Sequence, residues 1–353
     1  MEPTWTVRTY KEGDEQEIIN VLTAAFDGWR GLDYWNWMFK SNADGFYKDL
    51  ILLADDNGKF AGHYTIIPAR MKIGDEIILG SQSVATATHP DYRRQGIFER
   101  LANKTYANAA KLGINVTYGF AKVGPSYHGF VKKLDWYHIC FLIENERVID
   151  AKEALARHFK GKLPGYLIGI LAVFVNFRNS IKGKVKIPKD FTIKQVPAFD
   201  DRINDFWKTV SKDYDIMIVK DKRYFEWRLR SPERKYIIFT AEKEGKLIGY
   251  MILGEGEEDV RIADLLALPG HDNAITYLVS KAIGFAKERK KDMLRCTLPK
   301  DHSYLSNLRK LGFLSTETEM GFIARVNAPG TGLEEKLKSI KNWFITDLDS
   351  DHV

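Results

Sequence analysis

Val84-Ala85-Thr86-Ala87-Thr88-His89-Pro90-Asp91-Tyr92-Arg93-Arg94-Gln95-Gly96-Ile97-Phe98-Glu99-Arg100-Leu101 is the stretch that decides how this chain is read. Val84 to Thr88 are small and β-prone, which predicts a strand. Pro90 cannot donate to a sheet ladder and ends it. From Ile97 onward, Leu101, Ala102, Tyr106, Ala109 and Leu112 fall on one helical face. A strand therefore enters a basic, glycine-bearing loop that opens a helix. The first N–H groups of such a helix lack intrahelical partners and sit at the positive end of its dipole, a natural cradle for a pyrophosphate. Gly96 lets a phosphate approach the backbone closely, and Arg93 and Arg94 can add charge-assisted hydrogen bonds.

Competing motifs fail. There is no Gly-x-x-x-x-Gly-Lys-Ser/Thr, and Gly254-x-Gly256 runs into Asp259 without a third glycine. No His-Glu-x-x-His or Cys-x-x-Cys points to a metal. Gly124-Pro125-Ser126-Tyr127-His128-Gly129 has one residue too many for a hydrolase nucleophile elbow.

Outward from this run, the chain reads as two copies of one pattern. Thr6-Val7-Arg8 before the helical Glu15 to Ala25 is echoed 186 residues later by Thr192-Ile193-Lys194 before Asp201 to Val210. Tyr34-Trp35-Asn36-Trp37 returns as Tyr224-Phe225-Glu226-Trp227, and the glycine-centred strand around Gly62 returns around Gly249. Helices opening at Ser126-Tyr127 and Ser303-Tyr304 end in Lys133-Leu134-Asp135-Trp136 and Lys310-Leu311-Gly312-Phe313. The expected architecture is α/β with mixed (α+β) sheets: domains at 1–150 and 190–328, a connector at 151–189, and a C-terminal helix and acidic tail at 329–353.

Composition fits a soluble protein with sizeable cores: 353 residues, 44% hydrophobic and 28% charged. The net charge of +6 is concentrated, since 152–189 holds nine Lys/Arg against Glu153 alone, a local +8 that leaves the rest at −2. Nucleic-acid binding is therefore not expected. Cys140 and Cys296 lie far apart in apolar surroundings, which excludes a disulfide framework. No secretion signal opens the chain, and the apolar run Leu163 to Phe177 is shorter than the ~20 residues of a membrane span. A cytoplasmic location is expected.

Arg93-Arg94-Gln95-Gly96-Ile97-Phe98 behind a strand ending His-Pro-Asp-Tyr resembles the acyl-CoA loop of the GNAT N-acetyltransferase superfamily, whose pattern is Arg/Gln-x-x-Gly-x-Gly/Ala. The resemblance spans about 5–150 and, weakened, 190–328, implying tandem GNAT-like domains. It places the backbone of Thr86, Ala87 and Thr88 along pantetheine, and the N–H groups of Arg94, Gln95, Gly96, Ile97 and Phe98 on the pyrophosphate of acetyl-CoA or another acyl-CoA, with no metal. Phe98 departs from the pattern and fits only if its ring points into the core. The second copy offers Leu268-Pro269-Gly270-His271-Asp272, with no arginine, so one CoA site per chain is expected. The second domain would then help to shape the acceptor pocket.

The implied reaction is direct attack of an amine, such as an amino sugar or related small molecule, on the thioester. The family's usual acid is a tyrosine four residues before the glycine of a Leu-Gly-Phe helix end. Here that glycine is Asp135 and the position is Val131. Tyr127, one turn earlier on the same face, is the candidate acid, and His128 beside it the candidate base. The plainer alternatives are a packed tyrosine and a solvated histidine. His63 and His89 are further candidates near the strand. Trp35, Trp37 and Trp227 read as core anchors before they read as a ligand-stacking set. Asp347, Asp349 and Asp351 read as a solvated tail before an amine lure. The connector is either an inter-domain packing helix or a helix on anionic lipid. Competing functions are a non-catalytic CoA-binding module and aminoacyl transfer from charged tRNA. Oligomeric state is not encoded in any feature of the chain.

Overall fold

The computed structural model describes all residues except 1–3, 27–28, 161, 183–184, 329, 331 and 352–353. The chain packs into two compact units that interleave along the sequence. One comprises Met1–Cys140, Tyr214–Glu233 and Glu319–Phe344; the other comprises Phe141–Asp213, Arg234–Thr318 and Ile345–Val353.

In the first unit, β1 (Thr6–Thr9), β2 (Ile51–Asp56), β3 (Lys59–Ile73) and β4 (Glu76–Thr88) form an antiparallel meander. β5 (Val116–Lys122) then pairs with β4 in parallel, and Met320–Val326 pairs antiparallel with β5. Helices α1 (Glu15–Phe26) and α2 (Leu32–Trp35) follow β1. Helix α3 (Ile97–Lys111) is the crossover between β4 and β5, and α4 (Pro125–Lys133) follows β5. The second unit repeats the order with Phe191–Val196, Tyr236–Lys243, Lys246–Glu255, Asp259–Ala267 and Met293–Pro299. Its final partner is β6 (Tyr137–Val148). In each unit the last strand of this order comes from the other copy of the sequence.

Helix α3 is held by its apolar stripe. Ile97, Leu101, Ala102, Tyr106 and Ala109 are buried as expected, whereas Leu112, the C-cap residue, is exposed. Gly62 on β3 permits this packing, because a Cβ there would meet Ile97 Cγ2 at 2.5 Å. Phe98 does turn inward: its ring packs on Phe130 and against Gly129 of α4, where a Cβ would lie 2.7 Å from the ring. The bulky residue on α3 is matched by a glycine on α4.

The tryptophan-rich segments are core. Trp35 is fully buried, and Trp37 and Trp227 stack with centroids 5.7 Å apart. Each of that pair donates its indole N–H to the other's carbonyl, at 2.8 and 2.9 Å. The acidic tail departs from expectation. Among the described residues of the tail only Glu334–Lys338 is α-helical, and Asp347 and Asp349 are buried. Asp347 accepts from Arg261 at 3.2 Å. The ion pair holds Asp347, and Oδ2 of Asp349 accepts from the Thr346 N–H in a capping turn. Among the described residues, no helix is long and apolar enough to cross a membrane.

Candidate functional site

The site is an opening between two strands. β4 and β5 pair only at Ser81–Thr117, Gln82–Tyr118 and Ser83–Gly119, with Ser81 Oγ and Thr117 Oγ1 2.8 Å apart at the closed end. Beyond Ser83 and Gly119 the strands continue to Thr88 and Lys122 without pairing with each other. Peptide groups of β4 that would otherwise be spent on β5 are thereby left for a ligand.

At this point β4 is also bulged. His63 pairs with Ala87 and Thr65 with Val84, so Ala85 and Thr86 together face Tyr64. Ala85 adopts φ 51°, a left-handed conformation that costs a non-glycine residue about 1–2 kcal/mol. His63 holds it there: Nδ1 donates to the Ala85 carbonyl at 2.7 Å. The imidazole is fully buried, and burial lowers its pKa to about 4 against the opposing effect of that carbonyl. It is therefore the neutral Nδ1–H tautomer, with Nε2 unpartnered among the described residues. The hydroxyl of Thr86 is likewise buried and unpartnered among them. His63, weighed only as a further candidate from sequence, is a positioning residue for the bulge.

A stability signature follows. Unfolded, His63 titrates near ~6.5; folded, it stays neutral to about pH 4. The unfolded chain binds the proton first, so stability falls as pH drops through this window, by up to about 3 kcal/mol. Asp347, raised to about 6 by burial against the pull of Arg261, acts in the opposite sense. The comparison must therefore be wild type against His63→Asn, in which the Asp347 contribution cancels. In thermal melts the variant's deficit at pH 7 should shrink or reverse by pH 4; a constant deficit contradicts the assignment.

β4 leads into a tight loop. Pro90–Tyr92 form one 3₁₀ turn, Arg94 takes φ 66°, and Gly96 takes φ 76° at the N-cap of α3. No side chain caps the helix, so its first N–H groups point outward. Arg93, Arg94, Gln95 and Gly96 are exposed, and among the described residues neither arginine has an acidic partner. Asp91, the loop's own acid, lies 3.7 Å from Lys59 and 3.5 Å from His89. Glu99 is paired with Lys133. Gln95 is partly committed, since its Oε1 accepts from the indole of Trp5 at 3.0 Å. His89 caps the 3₁₀ turn by accepting from Asp91 N–H. The positive ends of the loop are thus left for an anion.

Helix α4, which follows β5, carries the half-buried Tyr127. Its hydroxyl lies 2.9 Å from Nδ1 of His138 on β6, and its ring lies on Gly321, where a Cβ would meet it at 2.8 Å. Partial burial raises the phenol's pKa and lowers that of His138, so both are neutral near pH 7 and the phenol can donate to an unprotonated Nδ1. His138 was missed from sequence. A single polar residue on an alternating strand carries no signal until its partner is known. His128 is exposed beside Tyr127. Val131 packs against the core, and Asp135 takes the left-handed φ of 56° that its counterpart Gly312 adopts at 87°.

Residues 6–139 match the family model of the acetyltransferase (GNAT) domain. These residues form a GNAT domain. Solved structures extend the likeness in fold to 92% of the chain. A probable N-acyltransferase from Enterococcus faecalis V583 has 13% identity, 73% coverage of its own chain and a TM-score of 0.65. Saccharomyces cerevisiae N-myristoyltransferase with bound myristoyl-CoA has 13% identity, 83% coverage and 0.62. A GCN5-related N-acetyltransferase from Anabaena variabilis has 12%, 73% and 0.62. No curated protein matches the sequence. The architecture is two tandem GNAT-like domains, and only the first keeps the basic loop. In the second copy the helix Asn273–Glu288 starts at Asp272, an acid where the GNAT domain has Gly-Ile behind two arginines. The parallel pair Asp259–Ile262 with Met293–Cys296 is packed by the chain's own Asp347–Asp349 turn, Arg261 bonding both Thr297 and Asp347.

Proposed function

We propose that the GNAT domain transfers an acyl group from CoA to an amine by direct attack, with one CoA site per chain. The observation that carries this reading is the bulged, diverging β4–β5 pair feeding an uncapped basic helix N-terminus. Pantetheine would lie along Thr86, Ala87 and Thr88, and the pyrophosphate against the N–H groups of Arg94 to Phe98, with Arg93 and Arg94 neutralising it. A backbone N–H at the bulge would stabilise the tetrahedral oxyanion. As the amine nitrogen bonds to the thioester carbon, the C–S bond breaks and Tyr127 protonates the departing thiolate. The phenolate then takes a proton from water and the amine's proton leaves to water, so no net proton is gained or lost; His138 holds the phenol in place through Nδ1. The acceptor is a small-molecule amine, an amino sugar being one class to include.

The acyl length is part of the test, because the yeast neighbour was solved with myristoyl-CoA. Acetyl- through myristoyl-CoA are to be incubated with a panel of amines while thiol release is followed. Amine-dependent release with one acyl-CoA supports the assignment. Stoichiometric CoA binding without any amine-dependent release would make the domain a CoA-binding module and overturn it.

A further inference from the structure

Helix α5 (Ala151–Phe159) and helix α6 (Gly165–Ile181) form most of the connector. Helix α6 is fixed from one side. Ile168 and Ala172 are buried, Asn179 Nδ2 donates to the Val148 carbonyl at 2.9 Å, and Arg178 donates to the Gly312 carbonyl at 3.0 Å. The opposite side holds Tyr166, Ile170, Val173, Phe174, Phe177 and Ile181, at positions i, i+4, i+7, i+8, i+11 and i+15. At about 100° per residue these share a stripe roughly 100° wide. They are 70, 51, 68, 67, 65 and 65% exposed. A core helix hides such a stripe; here it is the outer face, far more apolar than scattered surface residues account for.

The charges around it are of one sign. Between Glu153 and Asp190 there is no carboxylate, while Lys160 and Lys162 precede the stripe and Lys182, Lys186 and Lys189 follow it. These five lysines are exposed and, among the described residues, have no acidic partner. Arg157 is different: it is spent on Glu258 and Asp292. An apolar stripe bracketed at both ends by hydrated ammonium groups matches the acyl boundary of a bilayer flanked by anionic headgroups. The helix is too short to span, at 17 residues.

We propose that α6 docks this protein on an anionic lipid surface, lying in the plane of the headgroups with Val173, Phe174 and Phe177 inserted. This is independent of the acyl-transfer reading. The full-length protein should float with vesicles of phosphatidylcholine containing about 30% phosphatidylglycerol at least about ten-fold more than with phosphatidylcholine alone, and should be released as salt rises. Val173→Glu with Phe177→Glu, both at exposed positions, should abolish flotation while circular dichroism and Tm stay unchanged. Lys160→Glu with Lys182→Glu should remove the preference for anionic vesicles. Wild type that fails to float at low salt, or a Glu pair that floats equally, overturns the proposal. So does a wild-type dimer that the Glu pair splits, with no vesicle binding, since the stripe would then pair with a second copy.

Discussion

Arg93→Ala combined with Gly96→Asp should weaken acyl-CoA binding by about 100- to 1,000-fold and leave the protein folded. One charge-assisted hydrogen bond to a phosphate is worth about 1.5–3 kcal/mol, and each 1.4 kcal/mol is tenfold in affinity. The carboxylate adds repulsion where the uncapped N–H groups point. Folding should survive because Arg93 is exposed and a Cβ at Gly96 meets nothing within 4 Å. The left-handed φ at Gly96 costs aspartate less than most residues. Calorimetric titration beside a thermal melt checks both halves. Gly96→Ala alone, strained but uncharged, should lose much less. Unchanged affinity in the double variant would remove the loop from the site.

The second large effect is expected at Tyr127. Tyr127→Phe keeps the ring on Gly321 and removes only the hydroxyl near His138. A lost general acid slows the step it serves by about 10²–10⁴-fold, so kcat should fall by at least about 100-fold while acyl-CoA affinity holds. The split matters: a packing role would change stability and leave kcat within a few-fold. His128→Ala, at an exposed ring, should leave kcat nearly unchanged.

The parts of this molecule written in local pattern were legible. The strand, proline stop, basic loop and amphipathic helix from Val84 to Leu101 each follow from short-range rules, and the repeat follows from four ordered landmarks. The inward turn of Phe98 needed only the condition that it be core. What stayed hidden depends on contacts between distant residues. Nothing local in β6 or in Leu314–Val326 says that each pairs with a strand of the other copy. The hydrogen bond from His63 to Ala85 exists only because a bulge turns that carbonyl toward β3. Asp347 looked solvated because its partner Arg261 lies 86 residues upstream. The face that α6 shows to solvent is set by which neighbours cover the other side, information that helical spacing lacks.

The most direct test of the central claim is a crystal structure with CoA bound. The diphosphate should rest within hydrogen-bond distance of the N–H groups from Arg94 to Phe98, pantetheine should run along Thr86–Thr88, and the second copy should hold no nucleotide. A nucleotide bound elsewhere, or an opening between β4 and β5 filled by the protein's own side chains, would contradict it.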